Sequence, residues 1–180
     1  MFPDFEEFLQ CLNAEQAEYL GVGGYAVAHH AQPGATNDLD IFIGTDPDNA
    51  ARVWQAMAKF GAALDDLTLP EFQDPDTAFR MGMPPVMIEV IRAIDGVKFA
   101  DAYKRQLEEI INPETGLTVP YISRADLLAN EQAAHRAKDL ADVDAILEAA
   151  REQDQQPPRT HSRDDDGRSR WSGVIFVSGL

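Results

Sequence analysis

Apolar positions along the chain fall into runs of period near 3.6 and runs of period two. In "PDFEEFLQCLNAEQAEYL", Phe5, Phe8, Leu9, Leu12 and Leu20 recur at roughly helical spacing behind Asp4. This predicts an amphipathic opening helix capped by Asp4. "YLGVGG" reads as a short strand ending in the pair Gly23 and Gly24, and "GYAVAHHA" as a short helix that begins there. In "DLDIFIG", Leu39, Ile41 and Ile43 alternate with Asp38, Asp40 and Phe42, the period of a strand, so the two aspartates share a face. "DPDNAARVWQAMAKFGA" follows as a helix capped by Asp46 or Asp48, with Pro47 in its first turn, apolar Val53, Met57 and Phe60, and Gly61 at its stop.

The second half continues in the same manner. Residues 65–85 are turn-rich, with a short strand expected at "TAFRMG". In "PPVMIEVIRAIDG", Met87, Glu89 and Ile91 alternate with Ile88 and Val90, so Glu89 interrupts an otherwise apolar strand. "FADAYKRQ" reads as a short helix, and "EEIINPETGLTVPYI" as two strands around the Asn112–Gly116 turn. One or two helices over "SRADLLANEQAAHRAKDLADVDAILEAAR" open with the box Ser123 to Asp126. These elements predict one α/β (α+β) domain over residues 1–151. Residues 152–170 are polar, charged and without period, which by composition is a disordered tail for the 152–180 segment. Its apolar end "WSGVIFVSGL" can dock as a terminal strand, bind a partner or be an accidental extension.

Composition narrows the function. The chain has 180 residues, 44% of them hydrophobic, enough for one packed core. Its 31 acidic and 15 basic residues give a formal charge of -16, which repels nucleic acid and anionic membrane and argues against generic affinity for either. The single Cys11 excludes an internal disulfide and reads as a small hydrophobe on a helix. "MFPDFEEFLQ" has no basic region before an apolar one, and no segment approaches the ~20 apolar residues that span a bilayer. The expected location is the cytosol.

The acids of "DLDIFI" then take on chemical meaning. Residues i and i+2 of a strand stand about 6–7 Å apart on one face, and their carboxylates can converge on divalent ions. Glu89 is the natural third carboxylate, because an ionised acid in an apolar strand is costly unless something positive meets it. Mg²⁺ (or Mn²⁺) is such a partner, taking one or two carboxylates together with phosphate oxygens and water. A backbone without Cβ at a helix start lets a triphosphate approach, which would place Gly23 and Gly24 beside phosphates. The chemistry implied is phosphoryl or nucleotidyl transfer. His29 and His30 read as packed or solvent histidines before they read as phosphate contacts. Zinc spacings, the G-x-S-x-G elbow and the Walker loop are not found in the sequence.

"GVGGYAVAHH", "ATNDLDIFI", "PPVMIEVI" and "ISRADLLANEQAAHRAKDLADVDAI" together resemble the small bacterial nucleotidyltransferase-like proteins of the DNA polymerase-beta superfamily, a group that includes abortive-infection toxins. The likeness covers about residues 5–148. It implies a nucleotidyltransferase fold, a mixed sheet flanked by helices. Asp38, Asp40 and Glu89 would be the catalytic, metal-binding acids, with Glu89 where relatives have Asp. Gly23, Gly24, Asn37 and Lys138 would face the nucleotide. The reaction implied is transfer of an NMP from an NTP to a hydroxyl of RNA or protein, possible in a toxin-antitoxin pair with a cognate partner. An alternative is a degraded member kept as a nucleotide- or protein-binding module. It is favoured by Gly34 and Asn37 in a loop where relatives carry a basic residue, and by Glu131 where they carry Lys. The first Lys or Arg of the chain is Arg52, so cationic help must come from Arg80, Arg92, Arg124, Arg136 or Lys138.

Overall fold

A computed structural model describes residues 1–31, 36–64, 68–72, 79–134 and 137–155. The opening helix α1 (Pro3–Ala14) buries Phe5, Phe8, Leu9 and Leu12, as the spacing predicts. Its N-cap is Phe2, and no side chain caps it. Pro3 begins the helix, so Asp4 lies inside the first turn, where its charge favours the helix dipole without capping an amide. Strand β1 (Tyr19–Val22) is buried throughout and runs directly into α2 (Gly23–His30). Strand β2 (Asp38–Ile43) is followed by α3 (Pro47–Phe60). There the Asp46 carboxylate accepts from the Asn49 N–H at 2.9 Å, and the helix stops at Gly61 in left-handed backbone.

The short α4 (Leu69–Phe72) leads towards a hairpin of β3 (Phe79–Met83) and β4 (Val86–Ile91). Then come α5 (Phe99–Tyr103), a second hairpin of β5 (Leu107–Asn112) and β6 (Leu117–Tyr121), α6 (Arg124–Ala134) and α7 (Ala137–Gln155). Helix α7 thus runs past Arg151, and the apolar C-terminal end lies outside the described residues. No helix among the described residues is long and apolar enough to cross a membrane.

The strands form one mixed six-stranded sheet in the order β3-β4-β2-β1-β6-β5. β1 pairs antiparallel with β2, and β2 runs parallel to β4. This is the mixed α/β architecture that the alternation of strands and helices predicts. α1 and α3 pack together, with the Phe8 and Phe60 ring centroids 5.2 Å apart. Phe72 of α4 joins this layer, against Trp54 of α3 and against Phe79 of β3. On the other face, Phe42 is buried although it shares its side of β2 with the aspartates, because Phe99 of α5 covers it edge-on at 5.2 Å.

Two polar clasps fix the ends of these elements. Asn49, 1% exposed, accepts from the Glu18 N–H at 2.7 Å and donates to the carbonyls of Glu18 and Gly44. It ties the start of β1 to the β2–α3 turn. At the head of α6, Ser123 Oγ accepts from the Asp126 N–H, and the Asp126 carboxylate receives two bonds from Arg105, at 3.0 and 2.6 Å. The expected box is present, strengthened by Arg105 from the turn that follows α5. Arg105 and then Ser123 hold the Asp126 carboxyl below its ordinary range.

Candidate functional site

The strand register brings two of the predicted acids together. Asp40 on β2 is the direct Cα partner of Glu89 on β4, and Arg80 on β3 is the partner of Glu89 on its other side. The three side chains lie on one face and line a cleft of about 400 Å³ with Gly23, Asp95, Asn130 and Glu131. Helix α6 supplies the opposite wall through Asn130, Glu131 and Ala134. Asn130 is itself anchored there by donating to the Asp95 carbonyl at 3.0 Å.

Gly23 is the pivot of this arrangement. Its φ is +58°, and a Cβ there would stand 2.1 Å from Asp40 Oδ2. The space that its missing side chain frees is therefore filled by the Asp40 carboxylate, at the N-terminal end of α2, where the dipole favours a negative charge. Gly24 serves a different neighbour, because a Cβ on it would stand 2.7 Å from Thr36 Oγ1. It does not line the cleft. The glycine pair thus lets β2 and the residues before it pack closely against the start of α2.

The remaining predicted residues are spread more widely. Asp38 lies on the same face as Asp40 but is exposed at the first position of β2, opposite Met87. Asn37 is exposed just before it, its carbonyl accepting from the Met87 N–H at 3.4 Å. Lys138 falls on α7, which packs against α2 and α6, but its side chain lies outside the described ones, as do those of Asp139 and Asp142. Gly34, His135 and Arg136 lie outside the described residues altogether. Among the described residues, no group of three or more His, Cys, Asp and Glu is gathered as a metal cage. Asp40 and Glu89 form a pair, and that donor set fits an ion that takes two protein carboxylates and fills its shell with water and phosphate oxygens.

Arg92 is on the wrong face for phosphate. It is 5% exposed, donates from Nη1 to the Phe72 carbonyl, and lies over the rings of Phe72 and Phe79, 4.6 Å from the latter. The residue missed by sequence reading is Arg80 as the ion-pair partner of Glu89, with Nη2 3.2 Å from Oε2. A signal for it was present: a tight turn at Pro84 and Pro85 sets Arg80 opposite Glu89 by simple hairpin counting. The histidines form a separate cluster. His30 is buried, its Nε2 donates to the Ile122 carbonyl at 2.7 Å, and burial lowers its pKa. His29 stacks on Tyr121 at 4.8 Å and pairs with Glu109. Neither histidine lines the cleft.

The class defined by this geometry is a mixed α/β protein with an acidic cleft between the β2–β4 region of its sheet and α6. No protein-family model and no curated protein matches the chain.

Proposed function

We propose that the cleft binds a nucleoside triphosphate with Mg²⁺ or Mn²⁺ and transfers its NMP to a hydroxyl, as in the nucleotidyltransferase fold that the sequence resembles. The observation that carries this reading is the register of Asp40 against Glu89, on one face and beside the glycine turn that opens α2. Bound metal supplies charge neutralisation at the α-phosphate and a lowered pKa for the attacking hydroxyl. Asp40 and Glu89 would hold it, with Asp38 at the open edge. In this reading Glu89 would also take the proton of that hydroxyl. The hydroxyl oxygen would then bond to the α-phosphorus in line as the bond from that phosphorus to pyrophosphate breaks. Among the described lining residues, four carboxylates face one guanidinium, so a protein hydroxyl suits this cleft better than an RNA end. A toxin-antitoxin setting fits such a modifier of proteins.

A second reading, a module that keeps the fold and binds nucleotide or protein without chemistry, draws on a specific observation. Arg80 already occupies the Glu89 carboxylate. Incubating the full chain with each labelled NTP, Mg²⁺ or Mn²⁺, and total tRNA or a protein lysate separates the two. Label transfer lost in the Asp38→Ala, Asp40→Ala variant supports the enzyme. No transfer and no metal-dependent NTP binding would sink it.

A further inference from the structure

Arg80 is the one Lys, Arg or His among the described residues that line the cleft. Its side chain is 68% exposed on the edge strand β3, and that of Glu89 is 23% exposed. A single nitrogen, Nη2, reaches both carboxylate oxygens, at 3.2 and 3.3 Å. A well-formed charge-assisted N–H···O bond is about 2.7–2.9 Å, and a guanidinium offers a two-pronged fork that this contact does not use. A long, singly donated pair with one partner so wet contributes little and exchanges easily.

Glu89 therefore has two competitors for the same oxygens. While Arg80 holds it, the carboxylate is partly withheld from a cation, and the guanidinium is withheld from phosphate. A metal-bound triphosphate replaces both halves of the pair at once, cation for Glu89 and phosphate for Arg80. Resting on the nucleotidyl-transfer reading, we infer that Arg80 is the triphosphate-binding cation of the cleft, parked on Glu89 until metal and nucleotide arrive together. Arg92 cannot take this part, because it is buried under Phe72 and Phe79 on the other side of the sheet. The exchange makes metal and nucleotide binding mutually supportive, since each removes the partner that competes with the other.

The test titrates Mn²⁺ into the full chain, followed by electron paramagnetic resonance, with and without α,β-methylene-ATP. Wild type, Arg80→Gln, Arg80→Lys and Asp40→Asn are compared. In Arg80→Gln, Mn²⁺ alone binds about two- to fivefold more tightly, the scale of an exposed ion pair. The same variant binds the Mn²⁺-nucleotide complex about tenfold or more weakly, the scale of a charge-assisted contact. Arg80→Lys keeps most of the nucleotide affinity. If Arg80→Gln leaves both affinities unchanged while Asp40→Asn abolishes them, the inference about Arg80 is overturned and the site reading stands. If wild type binds neither Mn²⁺ nor nucleotide, the site reading fails and takes the inference with it.

Discussion

Replacing Gly23 by Ala tests how the site is built, because two separable costs meet at one atom. The backbone there has φ +58°, and holding a residue with a Cβ in that region costs about 1–2 kcal/mol. The added carbon would also stand 2.1 Å from Asp40 Oδ2 and 2.9 Å from its Cγ. The carboxylate must leave its rotamer, at about 0.5–1.5 kcal/mol. Together the substitution should destabilise the fold by about 1.5–3.5 kcal/mol, a fall in Tm of about 3–14 °C for a chain of this size. Urea unfolding monitored by circular dichroism measures the loss. The Gly23→Ala, Asp40→Ala double variant then recovers about 1 kcal/mol relative to additivity, because it removes the clash and keeps the backbone strain. A Gly23→Ala protein as stable as wild type, or strictly additive variants, would refute the close packing of the glycine on the aspartate.

Three further outcomes follow from other polar contacts. Asn49→Ala strands the Glu18 N–H and the Glu18 and Gly44 carbonyls, and should cost about 3 kcal/mol by denaturant titration. Asp126→Asn loosens the ties to Arg105 and Ser123 and costs about 1–2 kcal/mol at pH 7. Because the folded Asp126 carboxyl lies below its ordinary 3.8, its contribution is complete well above that pH and drains away as pH falls through the folded value, so the gap between wild type and variant narrows as pH falls below 3.8. His30 titrates in the opposite sense: burial lowers it from 6.5, so the folded state favours the neutral ring. Stability should fall as pH drops below 6.5, and comparing wild type with His30→Gln at pH 7.5 and 5.5 should show the larger loss in wild type.

Much of this was legible from period and punctuation. The two-residue alternation in "DLDIFI" and "VMIEVI" gave β2 and β4 and the face that each acid occupies, and Pro47 with Gly61 bounded α3. What stayed hidden was pairing across the sheet. Residue spacing within one strand says nothing of its neighbour, so Asp40 facing Glu89 while Asp38 faces Met87 emerges only from the register. The glycine pair shows the limit of local reasoning in another way. A Gly–Gly turn at a strand end admits any close neighbour, and sequence alone does not show that Asp40 and Thr36 of the same chain are among those packed against it. Asp4 was misread because α1 starts at Pro3, two positions earlier than an N-cap at Asp4 would require. The second wall of the cleft, on α6, is more than forty residues from Glu89 in sequence, so no local pattern announces Glu131 as its neighbour.

As proposed, Asp40 and Glu89 hold a divalent ion beneath a nucleotide. The most direct test is the anomalous difference density of a crystal grown with Mn²⁺ and α,β-methylene-ATP. The expected result is a peak within about 2.3 Å of oxygens from both carboxylates, with the triphosphate in the cleft and the Arg80 guanidinium on its phosphates. A cleft without a Mn²⁺ peak, its Arg80 still on Glu89, in crystals where the nucleotide is absent or bound elsewhere, would contradict it.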